Sequence, residues 1–164
     1  MMKQYLIDTF HFNDWANRKM LEAAAKAEDK KDAAAIFSHL IYAQDRWLKR
    51  AKNDPTESQI EWWGKPYPFE ELATRWKESL DRWLNYLSET DVSDLERTVS
   101  YKPEQFDNGD SQRLRDIVLQ LNYHSILHRE GIALRLRDQG LEPPFVDYLY
   151  YLPPQNTEFA TAGA

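Results

Sequence analysis

Apolar residues recur every three or four positions along four separate stretches of the chain. This spacing places them on one face of an α-helix, so the pattern predicts four amphipathic helices. The predicted helices cover residues 3–27, 31–52, 69–90 and 111–139. Charged or proline-containing segments separate them, and no apolar run approaches the length of a membrane span. The pattern therefore predicts an all-α fold in the form of a four-helix bundle.

The connection over residues 54–68 contains three prolines and one glycine, which exclude a regular helix. It also carries two adjacent aromatic residues, Trp62 and Trp63. We interpret this segment as a loop that folds over the domain. An alternative interpretation gives the two tryptophans a role in lining a pocket.

The connection before the fourth helix has a different character. Residues 97–101 are strand-like, and residues 107–110 read Asp-Asn-Gly-Asp, which is a turn signal. We therefore expect a small hairpin or an ordered loop between the third and fourth helices. Ser111 is expected to be the N-cap of the fourth helix, and Gly140 is expected to end it. The aromatic segment after Gly140 is expected to be extended or briefly helical, with residues 156–164 frayed.

Composition narrows the class of protein. A chain of 164 residues with 42% hydrophobic residues fits one domain over residues 1–164. The absence of cysteine excludes disulfides, cysteine-ligated zinc and a cysteine nucleophile. The net charge of −6, with no cluster of Lys and Arg, argues against binding to nucleic acid. The N-terminus has no signal-peptide pattern, so we expect a cytoplasmic protein without membrane association.

The predicted fourth helix places two histidines where leucine would be the usual residue. His124 and His128 are four positions apart, so they share one face of the helix about 6 Å apart along its axis. Two such imidazoles can bind one metal ion, although paired core histidines that bond to neighbouring groups have the same spacing. His39, on the inner side of the second helix, offers a third imidazole. Three imidazoles from two helices would leave positions open for water or substrate.

Other polar residues interrupt the helical faces. Asn13 and Asn17 lie in the apolar face of the first helix, and we interpret them as partners in hydrogen bonds between helices. His11 is expected to be partly exposed. Tyr42, Tyr123 and Asn13 are candidates for lining the histidine site, with ordinary packing as the alternative. The pattern differs from H-E-x-x-H zinc peptidases, because a serine rather than a glutamate follows the first histidine.

Several segments together resemble a known family. They are His39 in the second helix, the run N-Y-H-S-I-L-H-R-E-G-I, the following G-L-E-P-P-F-V-D-Y-L, and F-H-F-N-D-W-A-N-R-K-M-L near the N-terminus. Over nearly the whole chain these segments resemble the DinB-like (damage-inducible) family of four-helix-bundle proteins. The resemblance implies a divalent metal ion, zinc or nickel, held by His39, His124 and His128. It also implies a homodimer.

The reaction remains open between three hypotheses. The family resemblance implies a transferase that uses a low-molecular-weight thiol, such as bacillithiol or mycothiol, on small electrophiles. A metal-dependent hydrolase that activates water is the second hypothesis. The third is a non-catalytic protein of the stress response that binds a metal or a small ligand.

Overall fold

Four long helices occupy the predicted stretches. The computed structural model describes residues 1–104 and 109–153 of the chain. Its helices are α1 (Met2–Ala24), α2 (Lys31–Ala51), α3 (Leu72–Glu89) and α4 (Leu114–Asp138). Each predicted end lies within about three residues of the observed one, the usual scatter at helix ends. The four-helix bundle is confirmed.

Two apolar clusters at different levels of the bundle show the direction of each helix. The first cluster contains Leu6 and Phe10 from the start of α1, and the second contains Met20 from its end. α4 also passes from the first cluster at Leu121 to the second at Ile132, so it runs parallel to α1. α2 and α3 both run the opposite way. The connection between α2 and α3 must therefore return along the length of the bundle.

The buried face of α3 shows how the helical pattern becomes a core. Leu72, Trp76 and Trp83 are at most 1% exposed, as their spacing predicts. The two indole N–H groups have acceptors, Asp14 Oδ1 at 3.1 Å and the Gln44 carbonyl oxygen at 2.8 Å. Burial of each large apolar side chain stabilises the fold by about 1.5–3 kcal/mol. The indole N–H groups add no penalty because both are satisfied.

The level between the two apolar clusters is polar, and we call it the polar layer. α1, α2 and α4 each direct polar side chains inward there. α4 packs against both α1 and α2, so its two inner faces meet different partners. The buried polar residues of this layer are Asn13, Asn17, His39, Gln44, Ser125 and Arg129.

The connection before α4 forms a small hairpin, which was one of the two structures expected there. β1 (Thr98–Ser100) pairs antiparallel with β2 (Ser111–Arg113). The expected N-cap at Ser111 is wrong, because Ser111 pairs with Ser100 in the sheet and α4 begins only at Leu114. The pairing is anchored by Val99, which is fully buried. Residues 107 and 108 of the predicted turn lie outside the described residues.

Gly140 ends α4 as predicted. Its φ of +72° is a left-handed conformation, and its N–H donates to the Arg137 carbonyl oxygen at 2.9 Å. The following segment has no regular structure until the short helix α5 (Tyr148–Tyr151). Tyr148 packs edge-on against Phe12, with ring centroids 5.0 Å apart. Residues 156–164, expected to be frayed, lie outside the described residues. None of the described helices is long and apolar enough to cross a membrane.

Candidate metal centre

The three predicted histidines meet in the polar layer. His124 Nε2 lies 3.1 Å from His39 Nε2 and 3.0 Å from His128 Nε2. One nitrogen from each ring lies within 4.8 Å of the other two. Metal–nitrogen bonds of about 2.0–2.1 Å at tetrahedral angles separate two nitrogens by about 3.3 Å. The observed separations are close to those of three ligands around one ion.

The orientation of His39 is fixed by a backbone group. Its Nδ1 lies 2.5 Å from the Trp62 carbonyl oxygen. A carbonyl oxygen can only accept a hydrogen bond, so Nδ1 carries the proton of the ring and donates the hydrogen bond. The neutral ring then has its lone pair on Nε2, which points at the other two histidines. Such a partner on the distal nitrogen is the usual way in which proteins orient a metal-binding histidine.

Trp63 covers one side of the site. Its ring stacks on the His39 ring, with centroids 3.8 Å apart and an angle of 2° between the planes. It also meets the His128 ring edge-on at 5.7 Å. The loop over residues 54–68 therefore folds over the bundle, as predicted, and it also lines the site, which was the alternative interpretation. Trp63 itself remains 57% exposed.

Residues of α2 hold this loop in place. The Tyr42 hydroxyl donates to the Lys65 carbonyl oxygen at 2.7 Å, and the Tyr67 N–H donates to Ser38 Oγ at 2.8 Å. At Gly64, an added Cβ would lie 3.0 Å from the Tyr42 ring, so any larger residue there would press on the ring and displace it by a few tenths of an ångström. Tyr42 was a candidate for lining the site. It supports the site by holding the loop in place.

A buried ionic group that was not predicted from the sequence anchors Trp62. Arg46, 3% exposed, forms an ion pair with Glu57 at 2.8 Å and another with Glu104. Glu104 Oε2 also accepts a hydrogen bond from Trp62 Nε1 at 2.6 Å, and the Arg46 guanidinium lies over the Trp62 ring. The signal available in the sequence was an arginine on the inner margin of α2, one helical turn after Tyr42.

The histidines are poor bases in this environment. Burial, together with the nearby His128 and His39, lowers the pKa of His124 to about 4. Burial and the neighbouring His39 likewise lower the pKa of His128 to about 4. The pKa of His39 is also lowered by burial, against the opposing effect of the Trp62 carbonyl. At neutral pH all three rings are therefore uncharged, which leaves their lone pairs available to a cation.

The other inner face of α4 contains a second polar network. Arg129 Nη1 donates to Asn13 Oδ1 at 2.5 Å and to Asn17 Oδ1 at 3.0 Å. Ser125 Oγ accepts a further bond from Asn17 Nδ2 at 2.9 Å. The interpretation of the two asparagines as partners between helices is confirmed. Burial lowers the pKa of Arg129 to about 10, so its guanidinium remains charged at neutral pH.

His11 and the candidate lining residue Tyr123 are both exposed. His11 is exposed on α1, somewhat more than the partial exposure expected for it. Tyr123 is 63% exposed on α4, which gives its ring a position at the surface.

The donor set fits a divalent metal ion. Imidazole nitrogens bind zinc, nickel, copper and iron in their divalent states. Among the residues that the structure describes, no carboxylate joins the three histidines within ligand distance of one another. Three neutral protein ligands would leave the remaining coordination positions to water or to a substrate. The group can therefore hold a metal ion with an open side.

The comparison with known families agrees with this geometry. A family model described as the DinB superfamily matches residues 14–132, which include His39, His124 and His128. No curated protein and no solved structure matches the chain. The matched segment covers most of the chain, including all of α2 and α3 and most of α4. The chain belongs to the DinB superfamily.

Proposed function

We propose that this protein is a metal-dependent enzyme that transfers a low-molecular-weight thiol to small electrophilic substrates. The observation that supports the proposal is the convergence of three imidazole Nε2 atoms in the polar layer, at separations of 3.0 and 3.1 Å. His39, His124 and His128 would hold one divalent ion, zinc or nickel. Such an ion would lower the pKa of a thiol or a water molecule that reached its open side.

The chain's own residues favour a thiol over water as the nucleophile. The chain has no cysteine, so a reacting sulfur must come from a second molecule. Among the described residues no carboxylate joins the histidine group, so none lies there to act as the general base for water. A thiol, with a pKa of about 8.5, needs less help to ionise at neutral pH than water, with about 15.7.

The protein side of the site would bind and orient the reactants. Trp63 shields His39 from solvent, while His124 and His128 are only half-buried and form the open side. Reactants would approach from that side. A cytoplasmic location is part of the proposal, because low-molecular-weight thiols stay reduced there.

A first experiment tests the metal site. Protein purified without a polyhistidine tag is analysed for metals by mass spectrometry, beside His124→Ala. One ion per chain, lost in the variant, supports the proposal. If neither protein holds a metal after incubation with zinc or nickel, the three histidines are polar core residues and the metal-dependent proposal is wrong.

A second experiment separates the reactions. The metal-loaded protein is incubated with 1-chloro-2,4-dinitrobenzene and either bacillithiol or mycothiol, and separately with p-nitrophenyl acetate without thiol. Transfer of the thiol above the uncatalysed rate, abolished in His124→Ala, supports the transferase. Ester hydrolysis without thiol would instead support the metal-dependent hydrolase. Metal binding with no turnover in either assay would favour the non-catalytic protein that binds a metal or a small ligand.

We also propose that the protein forms a homodimer through the outer face of α4. Tyr123 and Leu127 are four positions apart on this face and are 63% and 69% exposed. An apolar pair on the outside of a helix is stabilised when a second copy covers it. Sedimentation at micromolar concentration should give twice the chain mass of 19.4 kDa, and Leu127→Asp should give the monomer. A wild-type protein that sediments as a monomer would contradict this proposal.

A further inference from the structure

A cavity of about 420 Å³ lies between α1, α4 and the segment that leads into α5. None of the three histidines lines it, so it is separate from the candidate metal centre. Its volume falls in the range of about 300–1,000 Å³ that is typical of sites for small molecules. The cavity therefore has room for a ligand of its own.

Arg129 supplies this cavity with a buried positive charge. The residue is only 5% exposed and lines the cavity. Its hydrogen bonds all leave from Nη1, and their acceptors are the uncharged oxygens of Asn13, Asn17 and Ser125. Across residues 1–104 and 109–153, no carboxylate lies within 4.0 Å of its guanidinium, and Nε and Nη2 have no hydrogen-bond partner.

A buried guanidinium is costly unless it meets an opposite charge or a full set of acceptors. Beyond the oxygens bonded to Nη1, the Arg129 guanidinium meets the ring of Phe12, 5.6 Å from the ring centroid. Three neutral oxygens satisfy only one of the three guanidinium nitrogens. A carboxylate accepts two parallel hydrogen bonds from two nitrogens of one guanidinium. Nε and Nη2 are adjacent nitrogens and have the arrangement for that pairing.

The remaining walls limit the ligand. Phe12, Met20 and Ala133 offer apolar surface beside Arg129. Glu130 also lines the cavity, but it forms an ion pair with Arg137 at 3.2 Å. Two more carboxylates, Glu142 and Asp147, line the cavity from exposed positions. They would repel a second negative charge on the ligand.

We propose that this cavity binds a small organic monoanion, with its carboxylate on Arg129 and its apolar body against Phe12 and Met20. The site is distinct from the metal centre and does not depend on the proposed function. A ligand bound there would link α1, α4 and the C-terminal segment.

Benzoate is a suitable probe, with benzamide as its uncharged analogue of nearly equal shape. In calorimetric titrations of the metal-loaded protein, benzoate should bind at least tenfold more tightly than benzamide. Terephthalate, a dianion, should bind more weakly than benzoate because of the two exposed carboxylates. Equal affinities for benzoate and benzamide would show that Arg129 does not recognise the carboxylate, and the proposal would be wrong.

Variants at the cavity locate the binding site. Substitution of Arg129 also breaks its bonds to α1, so Ile126, a partly exposed lining residue, is the better position. Ile126→Glu should weaken benzoate binding at least tenfold, because it adds a negative charge beside the carboxylate. Leu134→Glu is the matched control, since Leu134 is similarly exposed on α4 (49% against 47%) and does not line the cavity. It should change the affinity less than twofold.

A carboxylate could also bind to a metal ion, so the metal centre needs its own control. Benzoate should bind His124→Ala as tightly as it binds the wild type. Loss of binding in His124→Ala, with binding kept in Ile126→Glu, would place benzoate at the metal centre and overturn the proposal. This outcome would leave the proposed function intact. Conversely, a protein that bound no metal but still bound benzoate would contradict the metal-dependent function and support the carboxylate site at Arg129.

Discussion

The two inner faces of α4 carry polar pairs of the same spacing and of opposite character. His124 and His128 face α2, whereas Ser125 and Arg129, one position later in each case, face α1. The first pair meets the imidazole of His39, so three Nε2 atoms face one another. The second pair meets the amides of α1, so donors face acceptors.

This difference teaches that spacing alone does not determine the role of a buried polar pair. A pair at positions i and i+4 shows that both residues share a helix face. The side chains of the facing helix then determine whether the pair finds hydrogen-bond partners there or presents lone pairs that could bind a metal ion. In the arginine network, Nη1 of Arg129 meets three neutral oxygens, whereas the histidine group brings together only nitrogen lone pairs and has the composition of a ligand set. The predictions that follow test this contrast, from the largest expected effect to the smallest.

The largest effect should come from removing one histidine. His128→Ala deletes one of three ligands, and we expect metal binding to weaken by more than the ~10–100-fold that follows loss of an outer-shell partner. The metal content should fall from one ion per chain to a small fraction. Equilibrium dialysis against buffered zinc, followed by mass spectrometry, measures both quantities.

His11→Ala is the matched control for that experiment. It removes the same side chain from an exposed position on α1. Its metal content should equal that of the wild type. A similar loss of metal from both variants would mean that binding is not specific to the polar layer.

Removal of the arginine should affect stability instead of metal binding. Arg129→Met removes two hydrogen bonds from a charged donor to the oxygens of Asn13 and Asn17, each worth about 1.5–3 kcal/mol. The two oxygens keep only longer bonds, from Asn17 Nδ2 at 3.4 Å and from Ser125 Oγ at 3.3 Å. Relief of the buried charge offsets part of this cost. We therefore expect the free energy of unfolding to fall by about 2–4 kcal/mol, measured by urea denaturation, with one metal ion per chain retained.

Arg137→Met serves as the control, because Arg137 is a half-exposed arginine two helical turns further along α4, with an exposed partner, Glu130. Surface ion pairs of this kind contribute about 0–1 kcal/mol. Its unfolding free energy should change by no more than that. If the two arginine variants lose the same stability, the buried network is not a distinct source of stability.

The two faces should also respond differently to pH. In metal-free protein the pKa values of His124 and His128 are about 4, and in the unfolded chain they return to about 6.5. As the pH falls from 6.5 to 4, the unfolded chain binds protons that the folded chain does not, so stability decreases. Arg129 stays charged throughout this range, since its pKa is about 10.

Thermal unfolding in the presence of a chelator, at pH 7 and at pH 5, measures this dependence. The double variant His124→Ala/His128→Ala should lose less stability between the two values than the wild type, because it lacks the groups that take up protons on unfolding. Equal losses in the two proteins would show that other groups control the pH response.

The histidine group could be predicted from sequence because its signal is local. His124 and His128 lie within one helical turn, and His39 lies in an apolar pattern of its own helix. Trp63 could not be placed on His39, because residues 54–68 have no periodicity and their path depends on contacts with Ser38 and Tyr42.

Longer-range partners explain the other differences. The buried position of Arg129 depends on acceptors more than a hundred positions earlier in the chain. Ser111 has the local character of an N-cap, but pairing with β1 places it in a strand and delays the helix to Leu114. Local signals thus predicted the helices and the histidine group, whereas the positions of the supporting residues depend on tertiary contacts.

The smallest expected effect concerns the support of His39. Tyr42→Phe removes the hydrogen bond to the Lys65 carbonyl oxygen, and with it one restraint on the loop whose Trp62 carbonyl orients His39. We expect metal affinity to fall by ~3–10-fold, less than the ~10–100-fold that follows loss of a direct outer-shell partner, because the three histidines and the Trp62 carbonyl oxygen all remain. Tyr86→Phe, which removes a tyrosine bond to the Ala51 carbonyl oxygen beside the first apolar cluster, gives the comparison. Tyr86→Phe also loses the bond that Arg97 donates to the tyrosine hydroxyl, so at about 0.5–1.5 kcal/mol for each hydrogen bond it loses at least as much stability as Tyr42→Phe. A decrease in metal affinity confined to Tyr42→Phe would therefore identify the loop, rather than general loosening of the bundle, as the support of the metal site.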